Sequence, residues 1–239
     1  MNNIGKYNIS AFFPVYNDWG TIGSMVLLLD SKLKKIAKDY EIILVDDGSD
    51  KITKEIMQYL SKKFEKVKII THKKNMGYGA ALKTGIYNSK YELIFYTDSD
   101  AQYNPSEIEN LLEKFNDKID IVNGYKISRQ DPIYRKIIGN IYLFVTKIFF
   151  RFKIKDVDCD FRLMRKSVLD NIVLIHDSGV ICVEMITKLT LRGAIFEEVP
   201  VNHYYRTSGK SQFFNFKRIF KVFIDLFKLW YQIFIKKKY

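Results

Sequence analysis

The sequence predicts an α/β fold: a mostly parallel sheet flanked by helices, followed by a C-terminal amphipathic helix. Three observations predict it. Apolar runs of strand length alternate with stretches of helical periodicity through the first half of the chain. Two of those runs end in acidic turns, Asp46-Asp47 and Asp98-Ser99-Asp100. Residues 213–239 then carry one polar stripe on an otherwise apolar helix.

The elements follow in order. Residues 9–14 form a first strand ended by Pro14, and Tyr16-Asn17-Asp18 turns into a helix over 21–38. Residues 41–45 form a second strand that runs into Asp46-Asp47-Gly48-Ser49-Asp50, a helix spans 51–64, and 67–70 is a third strand. Asn75-Met76-Gly77-Tyr78-Gly79 is a glycine turn that opens a helix over 80–88. Leu93-Ile94-Phe95-Tyr96 reads as a buried strand. Asp98, Asp100 and the amide of Gln102 follow it, and Asn104-Pro105 starts the next helix, 107–115. Such a β-α-β-α-β-α-β order argues for parallel strands with right-handed crossovers, which brings both acidic turns to one sheet edge. Beyond it the sequence predicts a strand over 119–124, a polar cationic segment over 126–135 and an apolar helix over 137–152. A dense acidic loop, 156–162, precedes helices over 168–174 and 183–191, a late strand over 194–201 and a basic loop over 205–211.

Composition narrows the partners. The 239 residues suit one domain over 1–212 with an added helix over 213–239, and 47% of them are hydrophobic, enough for a sizeable core. The formal charge of +12, from 39 Lys+Arg against 27 Asp+Glu, points to an anionic partner. A nucleic acid is not expected: no helix-turn-helix, ribonucleoprotein or zinc motif stands in the chain, and the acidic pair would repel a phosphate backbone. Met1-Asn2-Asn3-Ile4-Gly5 leads straight into the first strand, which reads as no secretory leader. No apolar run has the length of a membrane span. Cys159 and Cys182 read as free buried thiols of a reduced, cytoplasmic protein.

Several residue types suggest chemistry. Asp98 and Asp100 are hard oxygen ligands on a short turn, suited to Mg²⁺ or Mn²⁺ completed by phosphate oxygens and water. The same pattern also caps turns before helices. The glycine turn permits close backbone approach at Gly77, with Lys83 available to phosphates, and also reads as an ordinary glycine turn. Lys126, Arg129, Arg135, Arg206 and Lys210 cluster in two loops and suit an anionic acceptor, although single surface cations are usually just solvated. Glu184, in an apolar helix, is either a site carboxylate or a buried ion-pair partner. His72, His176 and His203 lack zinc spacing and read as structural. The tail from 213 to 239, with Lys217, Arg218, Lys221, Lys228 and Lys236-Lys237-Lys238 against a single Asp225, suits an anionic membrane surface or a packed helix.

These motifs, in this order, resemble the family 2 glycosyltransferases of the GT-A (Rossmann-like) fold. They are most similar to the polyprenyl-phosphate sugar synthases typified by dolichyl-phosphate mannose synthase. The matching pieces are Pro14-Val15-Tyr16-Asn17-Asp18, Val45-Asp46-Asp47-Gly48-Ser49, Asn75-Met76-Gly77-Tyr78-Gly79-Ala80, Asp98-Ser99-Asp100-Ala101-Gln102, Asp160-Phe161-Arg162, Glu184 and Arg206 through Ser211. The resemblance implies donor-nucleotide contacts at Pro14, Tyr16, Asp18, Val45 and Asp47. It implies metal and diphosphate binding at Asp98, Asp100 and Gln102, and carries over most directly to Arg135 and Arg206 on the acceptor side. Two positions depart from the family pattern. Gly124-Tyr125-Lys126 replaces the usual Gly-Ser-Arg, losing the planar fork that grips phosphate, and Asp160 stands where Gly is usual. The spanning helices that many relatives carry after this region are not seen either. The implied function is a metal-dependent, inverting transfer of a sugar from a UDP- or GDP-sugar to a polyprenyl (dolichyl or undecaprenyl) phosphate. It would occur at the inner membrane face, with the protein held peripherally. A saccharide acceptor in surface polysaccharide synthesis is the alternative. The sequence leaves the sugar, the base and the oligomeric state unread.

Overall fold

The four leading apolar runs become β1 (Asn8–Val15), β2 (Asp39–Asp46), β3 (Val67–Thr71) and β4 (Leu93–Thr97). They lie parallel in the order β3-β2-β1-β4, joined by α1 (Ile22–Ile36), α2 (Lys51–Lys63) and α3 (Tyr78–Asn88). The computed structural model describes residues 3–129, 133–206 and 216–237, by backbone alone at 128–129, 133–138 and 216–220. Because side chains alternate across a strand, Ile9, Ala11, Phe13 and Val15 enter one core layer with α1, while Phe12 enters the other with Ala81, Leu82 and Ile86 of α3. Both faces of β1 are therefore dry, as expected where helices cover a parallel sheet on both sides. At Gly85 of α3 a Cβ would meet the Phe12 ring at 2.4 Å, so this glycine sets how closely the helix lies on the sheet.

A 3-10 turn, Pro105–Glu107, capped by Asn104, leads into α4 (Ile108–Lys114). Then come β5 (Ile121–Arg129), α5 (Ile133–Phe150), β6 (Phe161–Arg165), α6 (Lys166–Leu169), α7 (Ile181–Leu191), β7 (Phe196–His203) and α8 (Phe216–Trp230), which continues as a π-helical turn, Tyr231–Ile235. The whole sheet runs β3-β2-β1-β4-β6-β5-β7, with β6 antiparallel to both its neighbours.

Strand β6 corrects the sequence reading, which ended the acidic loop at 162 and placed a helix over 168–174; the helix there is α6 alone. The strand is hard to see because Arg162 stands second in it and is fully buried. Its Nε donates to Asn123 Oδ1 at 2.5 Å, its other nitrogens bond the Tyr96 hydroxyl and the Val157 carbonyl, and Asp160 lies 3.6 Å away. A charge so fully partnered sits where the pattern calls for an apolar residue. Strand β5 also outlasts its expected end, because it pairs with β7 through a register shift between Lys126 and Ser128.

Helix α8 buries Leu226 and Leu229, and the following turn Ile233, in a third core with Val180, Val183 and Ile186 around α7 and Phe150 at the end of α5. Ser178 Oγ donates to Asp225 Oδ2 of α8 at 3.1 Å. Among the described residues no helix is long and apolar enough to cross a membrane.

Candidate active site

The carboxyl ends of β1, β2 and β4 share one edge, and the turns that leave them are sewn together. Ser99 Oγ lies 2.8 Å from the Pro14 carbonyl and 2.5 Å from Asp18 Oδ2. Thr21 Oγ1 donates to the Ser99 carbonyl at 2.7 Å. Ser49 Oγ accepts from Asn17 N–H at 3.2 Å, and Asp50 N–H donates to Asn17 Oδ1 at 2.8 Å. Two non-glycine residues in these turns adopt positive φ, Asn17 at 61° and Ala101 at 60°. Such conformations persist only where the surroundings over-determine them, and they cluster at functional sites.

Asp98 and Asp100 stand in the turn after β4. Asp98 Oδ1 accepts from the Tyr78 hydroxyl at 2.8 Å, and Asp100 Oδ1 from the Gln102 N–H at 3.0 Å. Gln102 is zipped to the chain leaving β7: its carbonyl accepts from Tyr204 N–H at 2.8 Å and its side-chain amide donates to the Tyr204 carbonyl at 3.1 Å. That pairing carries Arg206 to the acidic turns, where Nη2 is 3.1 Å from Asp18 Oδ1 and Nη1 is 3.4 Å from Asp100 Oδ2.

The edge holds more negative charge than it neutralises. Burial, then the neighbouring carboxylates of Asp160 and Asp100, push the Asp98 carboxyl well above its ordinary range. Burial also raises Asp100, against the pull of Arg206. Asp160 is held by the Tyr96 hydroxyl at 3.2 Å and the Cys182 thiol at 3.1 Å, besides Arg162. Among the described residues no group of three or more His, Cys, Asp or Glu side chains is arranged to hold a metal. A pair of carboxylates in excess negative charge instead fits Mg²⁺ or Mn²⁺ carried in by phosphate oxygens, which needs only one or two protein carboxylates.

The other expected site residues fall into three groups. Pro14 and Val45 are paired in register on neighbouring strands, with Tyr16 half-buried just beyond them and Asp18 buried beside Ser99. Asp47, Gly77 and Lys83 are engaged with the protein itself. Asp47 accepts from the N–H of Met76 at 2.8 Å, the N–H of Gly77 at 2.9 Å and the His72 ring at 2.8 Å. The close approach allowed by Gly77, at φ 104°, is made by the chain's own Asp177, whose carbonyl lies 2.4 Å from where a Cβ would stand. Lys83 reaches Asp177 at 2.5 Å and the Ile175 carbonyl at 3.3 Å. On the acceptor side, Lys126 donates to the Asp158 carbonyl at 2.7 Å and pairs with Asp156 at 3.4 Å. It lines a cavity of about 160 Å³ with Tyr125, Asn140, Lys155 and Asp158. The backbone puts Arg129 at the end of β5 and Arg135 in the first turn of α5; their side chains, and the whole of Lys210, lie outside the described residues.

Glu184 resolves as an ion-pair partner. Fully buried, it accepts from the N–H groups of Ile175 and His176, from the His176 ring and from Lys188 at 2.7 Å. His72 is structural too, bridging Asp47 and Thr84 Oγ1. Two residues outside the expected set join the acidic edge, Tyr78 and Asp160. Both were marked by position, one inside the glycine turn and the other replacing a family glycine.

Comparisons with known proteins agree with this architecture. The family model described as glycosyl transferase family 2 matches residues 10–173. An undecaprenyl-phosphate 4-deoxy-4-formamido-L-arabinose transferase of Salmonella choleraesuis (strain SC-B67) is 27% identical over 219 residues, covering 91% of this chain. The chain spans 66% of the length of that relative. Among solved structures, glucosyl-3-phosphoglycerate synthase from Mycobacterium tuberculosis in complex with phosphoglyceric acid superposes with a TM-score of 0.72 at 13% identity, over 95% of this chain and 79% of that one. The same synthase in complex with Mn²⁺, UDP and glucosyl-3-phosphoglycerate gives a TM-score of 0.69 at 12% identity, over 95% and 79%. A mannosyltransferase from Pyrobaculum calidifontis in complex with GDP-Man and Mn²⁺ gives 0.63 at 15% identity, over 86% of this chain and 58% of that one. The sheet order, the acidic edge and the match over residues 10–173 lead to one assignment: the chain belongs to glycosyl transferase family 2.

Proposed function

We propose that this protein transfers one sugar, with inversion, from a UDP- or GDP-sugar to a polyprenyl phosphate at the cytoplasmic face of a membrane. The observation that carries the reading is the meeting of Arg206, from the segment after β7, with Asp18 and Asp100 on the acidic edge. It brings a cation suited to an anionic acceptor against carboxylates suited to a metal–diphosphate. The similarity to undecaprenyl-phosphate sugar transferases supports a lipid phosphate as that acceptor.

In this reading Asp98 and Asp100, with Gln102 in the same turn, face the donor's diphosphate. Pro14, Tyr16, Asp18 and Val45 line the nucleotide. Asp47, Gly77 and Lys83 serve it indirectly, by holding the glycine turn and the 175–178 loop as a rigid wall. Mg²⁺ or Mn²⁺, bound with the diphosphate, would offset charge on the leaving group as a Lewis acid. An acceptor phosphate oxygen forms the new bond to the anomeric carbon while the bond to the diphosphate breaks, through an oxocarbenium-like state. That oxygen is already anionic, so no general base is needed. What it needs is orientation, assigned here to Arg135 and Arg206 with Arg129 and Lys210. Lys126, bonded to the 156–158 loop, shapes the acceptor side.

Residues 1–212 form the catalytic unit in this proposal, and 213–239 the membrane contact. Trp230 stacks on Phe227 at 6.3 Å and meets Phe149 of α5 edge-on at 6.5 Å. Phe144, Phe149, Phe223 and Phe227 are all more than half exposed. Exposed Lys221, Lys228 and Lys236 rim this apolar surface. An apolar face edged with lysines suits the headgroup region of an anionic bilayer, each cation near the surface adding about 1 kcal/mol. The protein should therefore co-sediment with anionic liposomes, less so in high salt, and deletion of 213–239 should largely abolish it. Failure to bind liposomes, with a dimer that the deletion converts to a monomer, would make the tail a subunit interface instead.

The catalytic reading is tested with a panel of radiolabelled UDP- and GDP-sugars, polyprenyl phosphate and Mn²⁺. Label extracted into organic solvent only when the lipid is present supports it. Label that stays aqueous, or passes to a saccharide acceptor, overturns it.

A further inference from the structure

Arg206 joins two carboxylates from different turns. The Asp18 and Asp100 side chains are only 10% and 11% exposed, and each has one oxygen secured within its own edge, Asp18 Oδ2 by the Ser99 hydroxyl and Asp100 Oδ1 by the Gln102 N–H. The remaining oxygen of each faces the Arg206 guanidinium, at 3.1 and 3.4 Å. The arginine itself is 24% exposed, and the backbone just before it is pinned at Tyr204 by the two bonds to Gln102. Its guanidinium therefore rests on the acidic edge at the end of a tethered segment.

This position conflicts with the donor. A divalent ion at Asp100 would put a second positive centre beside the guanidinium, and like charges that close repel. The nucleotide at Asp18 would compete for the same space. We propose that Arg206 is a built-in counter-cation of the donor site, holding Asp18 and Asp100 together while the site is empty and displaced toward the acceptor side when metal and diphosphate arrive. The inference rests on the reading that the Asp98–Gln102 turn takes the metal–diphosphate. Its consequence is an order of binding: the acceptor phosphate meets its full set of cations only after the donor is seated. Free lipid phosphate is thereby kept from the site before a sugar is available, and the empty edge is kept from opening under its own charge.

The test is Mn²⁺ binding by the full chain, followed by the electron paramagnetic resonance of free Mn²⁺, for wild type, Arg206→Ala and Arg206→Lys, with circular dichroism to establish folding. Removing the competing cation should tighten Mn²⁺ binding in the absence of nucleotide by about two- to fivefold, the size of a modest ion-pair contribution. Arg206→Lys, which keeps the charge, should stay near wild type. Should the alanine variant fail to fold, Arg206→Gln carries the same expectation. Unchanged or weaker Mn²⁺ binding by a folded neutral variant overturns the proposal. A second readout is modification of Arg206 by phenylglyoxal, mapped by mass spectrometry, which should increase when Mn²⁺ and UDP or GDP are added to wild type; no increase contradicts displacement. Wild-type protein that binds no Mn²⁺ even with nucleotide defeats the metal reading and this inference with it. Failure of the acceptor role appears separately, as an unchanged acceptor KM in a variant that binds Mn²⁺ more tightly.

Discussion

Two carboxylates in this molecule, Glu184 fully buried and Asp98 half-buried, have opposite surroundings. Glu184 on α7 is saturated: burial alone would raise its pKa, but hydrogen bonds from His176 and Lys188 outweigh it and hold the group at about 2. Asp98 after β4 receives one bond, from Tyr78, and its pKa is pushed up by desolvation and then by Asp160, Asp100 and Asp18 around it. The first group is a clamp, its charge spent on fixing the 175–176 segment. The second is an unbalanced charge, tolerable where an external cation is part of the design. The two carboxylates thus differ in how fully they are partnered, and the proposed function gives the less partnered one to the donor site.

The sharpest contrast comes from deleting each group. Glu184→Ala should cost about 3–5 kcal/mol of stability, because it leaves Lys188 buried without its carboxylate. The wild-type contribution has a defined pH window. The folded pKa of about 2 lies below the unfolded value near 4.3, so the stabilisation is present above about pH 4 and lost as the pH falls toward 2. Thermal melts across that range should show the wild-type advantage over Glu184→Ala shrinking with acid. A constant gap would mean that the carboxylate is not the clamp.

Asp100→Ala should do the reverse. Folding should survive, while metal-dependent transfer falls at least about a hundredfold, the scale of losing a metal ligand in the transition state. A folded Asp100→Ala protein with near-normal turnover would remove the distinction between the two regions.

A third carboxylate sharpens the comparison. Asp158, beside Lys126 in the acidic loop, is pushed to about 7 mainly by burial, with Lys126 opposing. Its folded pKa exceeds the unfolded value near 3.9, so the protein loses stability as the pH rises from about 4 through 7. Asp158→Asn should therefore melt above wild type at pH 8, and the difference should fade by pH 4. A variant less stable at every pH would show that the carboxylate makes a contact worth more than its burial costs.

Much of this was legible in the chain. Strands β1 to β4 end where apolar runs meet turn residues, and the Asp98–Gln102 turn was readable from two acids and an amide before Asn104-Pro105. What stayed hidden depends on contacts far apart in sequence. The bonds that Asp47 accepts from the N–H groups of Met76 and Gly77 cannot be seen in the sequence. Neither can the ion pair between Lys83 and Asp177. Strand β6 was obscured by one buried arginine, and the Asp18–Arg206 pair spans 188 positions, beyond any local pattern. The tail's polar stripe was visible at once, but its bond from Ser178 to Asp225 was not.

The central claim is that the acidic edge works with a divalent ion to deliver a sugar to a lipid phosphate. The most direct measurement is transfer of label from a sugar nucleotide into the organic phase by wild-type protein, titrated with Mn²⁺ and then with excess EDTA. The account predicts lipid-dependent label that rises with Mn²⁺ and collapses in EDTA; full transfer in excess EDTA would contradict it.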